Sequence, residues 1–124
     1  QVGGALGRCA FREAADRTLS LARFGNEQFD SHAPWKLRKT DLAACGASLH
    51  VHAQLVAALS TLIAPFMPGK CAELRAMLAL PPVTRWEADP LLADHALGTP
   101  GILIGKIADE VVEEHRAALA ARAG

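Results

Sequence analysis

His32-Ala33-Pro34-Trp35-Lys36-Leu37-Arg38-Lys39 is the stretch from which the rest of the chain can be read. A proline disfavours helical geometry in the residues before it, so Pro34 predicts a corner between one helix ending near Asp30 and another opening at Thr40. A large aromatic, Trp35, follows the proline directly, and Lys36, Arg38 and Lys39 follow the aromatic. An indole held at a rigid corner beside fixed positive charge can stack an unpaired base and grip its phosphates. The same residues can also plug the end of a helical bundle, with the cations solvated.

The segments on either side carry helical periodicity. Upstream, Phe11, Ala14, Ala15, Thr18, Leu21, Ala22, Gly25 and Phe29 recur at spacings of three and four, and small residues dominate the stripe. A neighbouring helix is expected to approach closely there. Downstream, Leu42, Cys45, Leu49, His52, Val56, Leu59 and Ile63 form a seam suited to near-parallel packing, with Thr40 as the expected N-cap. Pro65 disrupts the end of that helix, and Pro68 can open the next, predicted to run to Leu80 with Cys71, Leu74, Met77 and Leu78 inward.

Residues 83–105 show no period and contain Pro90, Gly98, Pro100, Gly101 and Gly105, so an irregular segment anchored by Trp86 and Leu91-Leu92 is expected. A last helix is predicted from Asp109 to Ala121 on the stripe Ala108, Val111, Val112, His115 and Leu119. Gly3, Gly4 and Gly7 predict a frayed start. The expectation is an all-α bundle of about four helices, one domain over residues 1–124.

Composition narrows the functional classes. With 51% apolar and 21% charged residues, the chain is globular rather than disordered. Thirteen basic residues balance thirteen acidic ones, so any nucleic-acid contact must rest on a local patch. Cys9, Cys45 and Cys71 are odd in number and lack C-x-x-C spacing, which suits free thiols in small core positions of a reducing compartment. No basic region followed by an apolar run opens the chain, so no secretion signal is expected. Leu42 to Gly69 holds no Asp, Glu, Lys or Arg, but its Ser48, His50, His52, Gln54, Ser60 and Thr61 favour a buried bundle helix over a membrane span.

His50 and His52 point to nearly opposite sides of a helix, so no metal site is expected there, and His52 reads as a hydrogen-bonded seam histidine. Gly-rich phosphate loops, G-x-S-x-G and H-E-x-x-H are all absent, and no catalytic residue is expected.

The corner belongs to a longer pattern. Asn26, Phe29, Asp30, Ala33-Pro34-Trp35, Leu37 and Lys39 stand at the spacing N-x-[YR]-[FLV]-D-x-x-x-P-W-x-L-x-K. Leu62-Ile63-Ala64-Pro65-Phe66-Met67-Pro68, Trp86 and Gly98-Thr99-Pro100-Gly101-Ile102-Leu103-Ile104-Gly105-Lys106-Ile107 follow in order. Over about residues 11–115 this resembles the C-terminal anticodon-binding domain of methionyl-tRNA synthetases. Gln28 departs from the usual aromatic or Arg, and Ile104 from the usual Phe.

The resemblance implies a helical bundle in which Trp35 stacks on a base of a CAU anticodon, with Pro34 beside it and Lys36, Arg38 and Lys39 nearby. It implies initiator and elongator methionine tRNA as partners, together with the catalytic domain of a parent synthetase in the cytoplasm. The H-I-G-H and K-M-S-K-S signatures are absent, so ATP would belong to that catalytic domain and no cofactor is expected here. The family's N-x-x-x-R contact pair lies on a helix ahead of the region matched by residue 11 and has no counterpart in these residues. A bundle short of that helix is expected to leave an apolar groove between the first two periodic segments, inviting self-association or insertion of the glycine-rich start. Two other readings remain open: a bundle from a synthetase-like paralogue acting in amino-acid ligation or modification without tRNA, and a generic helical interaction domain.

Overall fold

The computed structural model describes residues 1–88 and 90–123, and among them every regular element is helical. In chain order these are α1 (Val2–Gly7), α2 (Phe11–His32), α3 (Pro34–Thr40), α4 (Leu42–Ile63), α5 (Pro68–Met77) and α6 (Asp109–Ala123). The all-α expectation holds. Two of the helices, α1 and α3, were not expected.

α4 is the central element and packs against α2, α3 and α5. Its N-cap is Asp41 and not Thr40: the Asp41 Oδ1 accepts from the Ala44 N–H at 2.9 Å, while Thr40 closes α3. An extended residue with a short carboxylate satisfies an otherwise orphan donor and also suits the positive end of the helix dipole. Gly25 of α2 is buried at the α2–α4 crossing, where an added Cβ would collide with the Leu55 side chain. The small-residue stripe therefore does bring the two helices close. The first residue of each helix's stripe does not join the contact, since Phe11 of α2 and Leu42 of α4 are both well exposed.

The glycine-rich start is helical. α1 packs on α2 through the buried Ala5, and Gly3 lies against the indole of Trp86, whose Nε1 would stand 3.0 Å from an added Cβ. Tertiary contact thus overrides poor intrinsic propensity. α1 ends in a paired-bond cap, with Ala10 N–H donating to Ala5 O and Cys9 N–H to Leu6 O, and Cys9 sits in the left-handed region at φ 56°. This places Cys9 at the surface, whereas Cys45 and Cys71 are buried as expected; all three are free thiols.

The same cap shortens α5. Leu80 N–H donates to Arg75 O, Ala79 N–H donates to Ala76 O, and Ala79 turns left-handed at φ 51°, so the helix stops at Met77 rather than Leu80.

The irregular segment begins there and is lashed to the bundle. The Gln54 side chain clamps Leu91 by both ends of its amide, donating to Leu91 O at 2.6 Å and accepting from Leu91 N–H at 3.0 Å. A His95 Nε2–H bonds Leu78 O at 2.6 Å, and Gly98 N–H bonds Met77 O at 2.9 Å. Arg75, almost wholly buried, donates to Pro81 O and, at 3.2 Å, to the Ser60 hydroxyl. Leu91 is buried in the cluster with Ala57 and Leu78, but its neighbour Leu92 faces solvent.

α6 lies where its spacing put it. Its stripe of Val111, Val112, His115 and Leu119 marks an apolar face, yet residues 109–122 are all exposed. Amphipathic spacing identifies a face that can be covered but does not supply the cover.

Candidate nucleic-acid interface

The corner is built from backbone outward. Ala33 ends α2 and opens α3 from a left-handed conformation, φ 45° and ψ 60°. Its N–H donates to Phe29 O at 3.0 Å, and its carbonyl accepts from Lys36 N–H at 2.8 Å and Leu37 N–H at 3.2 Å. Only this one residue leaves helical geometry; His32 remains in α2, and Pro34 occupies the first turn of α3, where its missing N–H costs nothing.

The seven-residue α3 then sorts the side chains. Pro34 is buried and Leu37, three residues on, is half-buried, which fixes the inner face. Beneath it the Cys45 thiol donates to Pro34 O at 3.2 Å, pinning the corner to α4. Trp35 is 50% exposed, and Lys36, Arg38 and Lys39 are exposed. Arg38 and Lys39 lie three and four residues beyond Trp35 and therefore share its side of the helix. Among the described residues, none of these three cations is held in an ion pair. An indole with half its surface in solvent, flanked by positive charge, can stack a base and screen phosphates.

A cluster of rings backs the indole. Phe29 of α2 lies 5.6 Å from Trp35, and His52 of α4 meets Phe29 edge-on at 5.1 Å. The His52 Nδ1–H donates to Ser48 O at 2.6 Å, as a seam histidine should, while His50 turns away to Gln54 at 3.2 Å. The periodicity identified Phe29 and His52 as stripe members but gave no signal that their two stripes would converge behind Trp35.

Next to the corner the α2–α4 face is open. A groove of about 540 Å³ is lined by residues that include Phe24, Gly25, Leu37, Val51, His52 and Leu55. A second, of about 370 Å³, runs along Ala22, Phe29, Leu49, Val56 and Leu59. Apolar groups of the first two periodic segments line both, as expected. The glycine-rich start does not fill either one, because α1 is committed to α2 and Trp86. The seam was expected to be a buried helix, but in α4 only Cys45, Ala57, Ser60 and Thr61 are buried. By length and mean hydropathy alone α4 could cross a membrane, though it packs here as a bundle helix.

Comparison with known proteins gives this geometry its context. Residues 2–123 match the model of the anticodon binding domain of methionyl tRNA ligase, a wider span than the corner and tail motifs cover. The methionine–tRNA ligase of Pyrococcus abyssi is 37% identical over 112 residues, covering 90% of this chain and 16% of the relative. That of Methanothrix thermoacetophila is 37% identical over 116 residues, covering 90% and 17%. That of Bacteroides fragilis is 39% identical over 106 residues, covering 83% and 16%. The chain thus spans about one sixth of the length of these relatives. With a match over residues 2–123 and relatives of 37–39% identity agreeing on it, the chain belongs to the family of methionyl-tRNA ligase anticodon-binding domains.

Proposed function

We propose that this chain binds the anticodon of methionine tRNA, initiator and elongator alike, stacking one base of CAU on Trp35. Pro34 sets the indole's position, and Lys36, Arg38 and Lys39 screen the neighbouring phosphates. The observation that carries this reading is a half-exposed indole on the same short helix as three exposed cations outside any described ion pair. Because the net charge is zero, recognition is local, with no long-range attraction of the whole domain for RNA. In this reading the partners are tRNA and the catalytic domain of a cytoplasmic parent ligase, which handles ATP and methionine. The apolar α2–α4 groove is a surface for further packing, and we include self-association of the isolated chain among its uses.

The affinity follows from arithmetic. One stacked base contributes about 1–3 kcal/mol, while millimolar binding needs about 4 kcal/mol and micromolar about 8. Stacking on Trp35 plus a few phosphate contacts therefore gives a Kd of about 10⁻⁴ M for an anticodon stem-loop. Titrating the chain with a CAU stem-loop and a scrambled-loop control, at two salt concentrations, tests this. Binding that weakens with salt for both loops while the preference for CAU persists supports the reading; equal binding of both loops contradicts it.

A further inference from the structure

Phe29, Trp35 and His52 come from α2, α3 and α4 and meet in one ladder of rings. The Phe29 ring is tilted 51° to the indole, and His52 stands at 85° to Phe29. Offset and edge-on contacts of this kind have a preferred geometry, unlike general apolar packing. His52, whose ring also meets that of His32 edge-on at 6.0 Å, is fixed, because its Nδ1–H is tied to Ser48 O at 2.6 Å within its own helix. Phe29 is half-buried and sits one helical turn before the left-handed Ala33, whose N–H bonds the Phe29 carbonyl. Backbone and ring of Phe29 thus set the direction of the corner and one boundary of the indole.

An exposed tryptophan without such a boundary samples several rotamers, and a base that stacks on it must first select one. Fixing a side chain in its bound conformation beforehand removes that cost from binding. We infer that Phe29 and His52 are positioning residues that hold the Trp35 indole in its stacking orientation before RNA arrives. Neither contacts the base; both act through Trp35. The inference rests on the anticodon reading of the corner.

The test uses the full 124-residue chain carrying Trp86→Phe, which leaves Trp35 as its one indole. Phe29→Leu and His52→Ala are expected to increase the fast, local component of Trp35 fluorescence depolarisation in the free protein. They are also expected to weaken binding of a CAU stem-loop about three- to tenfold, the size of an aromatic pair's orienting contribution. Far-ultraviolet circular dichroism stays unchanged, and Phe29→Tyr, which keeps the ring, restores both readouts. A merely structural role would alter helix content and melting but leave the depolarisation of a folded variant untouched. Loss of binding in Trp35→Ala alongside a rigid indole and full affinity in folded Phe29→Leu or His52→Ala overturns this inference and leaves the anticodon reading standing. Full affinity in Trp35→Ala overturns the anticodon reading, and the inference falls with it. Should Phe29→Leu not fold, His52→Ala decides by the same two readouts.

Discussion

Replacing Ala33 by glycine should stabilise the chain, although it shortens a side chain at a half-buried position. Ala33 holds φ at 45° and ψ at 60°, where an L-residue's Cβ crowds the following carbonyl. That conformation costs an alanine about 1–2 kcal/mol and a glycine almost nothing. Against this, glycine loses more conformational freedom on folding, about 0.5–1 kcal/mol, and the half-buried methyl forfeits about 0.4 kcal/mol of burial. The three hydrogen bonds that Ala33 makes are backbone-only and survive the change. Taken at their midpoints, these contributions leave a gain of about 0.4 kcal/mol, or about 1–2 °C in Tm for a domain this size. Ala33→Val provides the opposite sign, since a β-branched residue in the left-handed region is strained by about a further 1–2 kcal/mol. Paired urea and thermal melts of the three proteins read the difference. A glycine variant less stable than a valine variant would show that Ala33 is not left-handed, and the account of the corner would fail with it.

Three further predictions concern what holds the bundle around the corner. Arg75→Ala removes a buried guanidinium that serves Pro81 O and the Ser60 hydroxyl, and it should cost about 3 kcal/mol in urea unfolding at unchanged slope. In Gly98→Ala the new methyl would run into the backbone carbonyl of Ala76, which cannot swing away. That should cost about 2 kcal/mol and speed proteolytic cleavage within residues 90–105. The Glu13 carboxyl is held below its usual value of 4.5, first by its hydrogen bond from Arg17 and then by the charges of Arg17 and Arg8. A depressed carboxylate pKa stabilises the fold above the unfolded-state value and loses that contribution as pH falls through the lower folded value. Arg17→Ala should therefore move the Glu13 titration upward in an NMR pH series and weaken the acid-side dependence of stability; an unmoved titration would exclude the Arg17 contact.

What the sequence disclosed and what it withheld follow the range of the interactions involved. Pro68 at the first position of α5 and the three-and-four spacing along α2 and α4 are local signals, and both helices and the α5 start lie where those signals put them. The Pro34-Trp35 corner was legible for the same reason: proline restricts its neighbours whatever the tertiary context. α1 was not legible, because a segment with three glycines becomes helical only when Trp86, more than eighty residues away in sequence, lies against Gly3. The early stop of α5 was hidden by an alanine in the left-handed place where glycine is the usual sign. α3 was masked by its own brevity, since seven residues carry too few repeats to display a period. The ladder of Phe29, Trp35 and His52 needed three helices placed in space, which no single stripe encodes.

The central claim is that Trp35 is the surface on which an anticodon base stacks. Its most direct test is the affinity of the Trp35→Ala chain for a CAU anticodon stem-loop, measured beside the unaltered chain in the same low-salt buffer. Removing the stacking platform should cost about 1–3 kcal/mol, a loss of roughly five- to 150-fold that leaves only salt-sensitive, sequence-indifferent binding. A Trp35→Ala chain that binds CAU as tightly and as selectively as its parent would contradict the account.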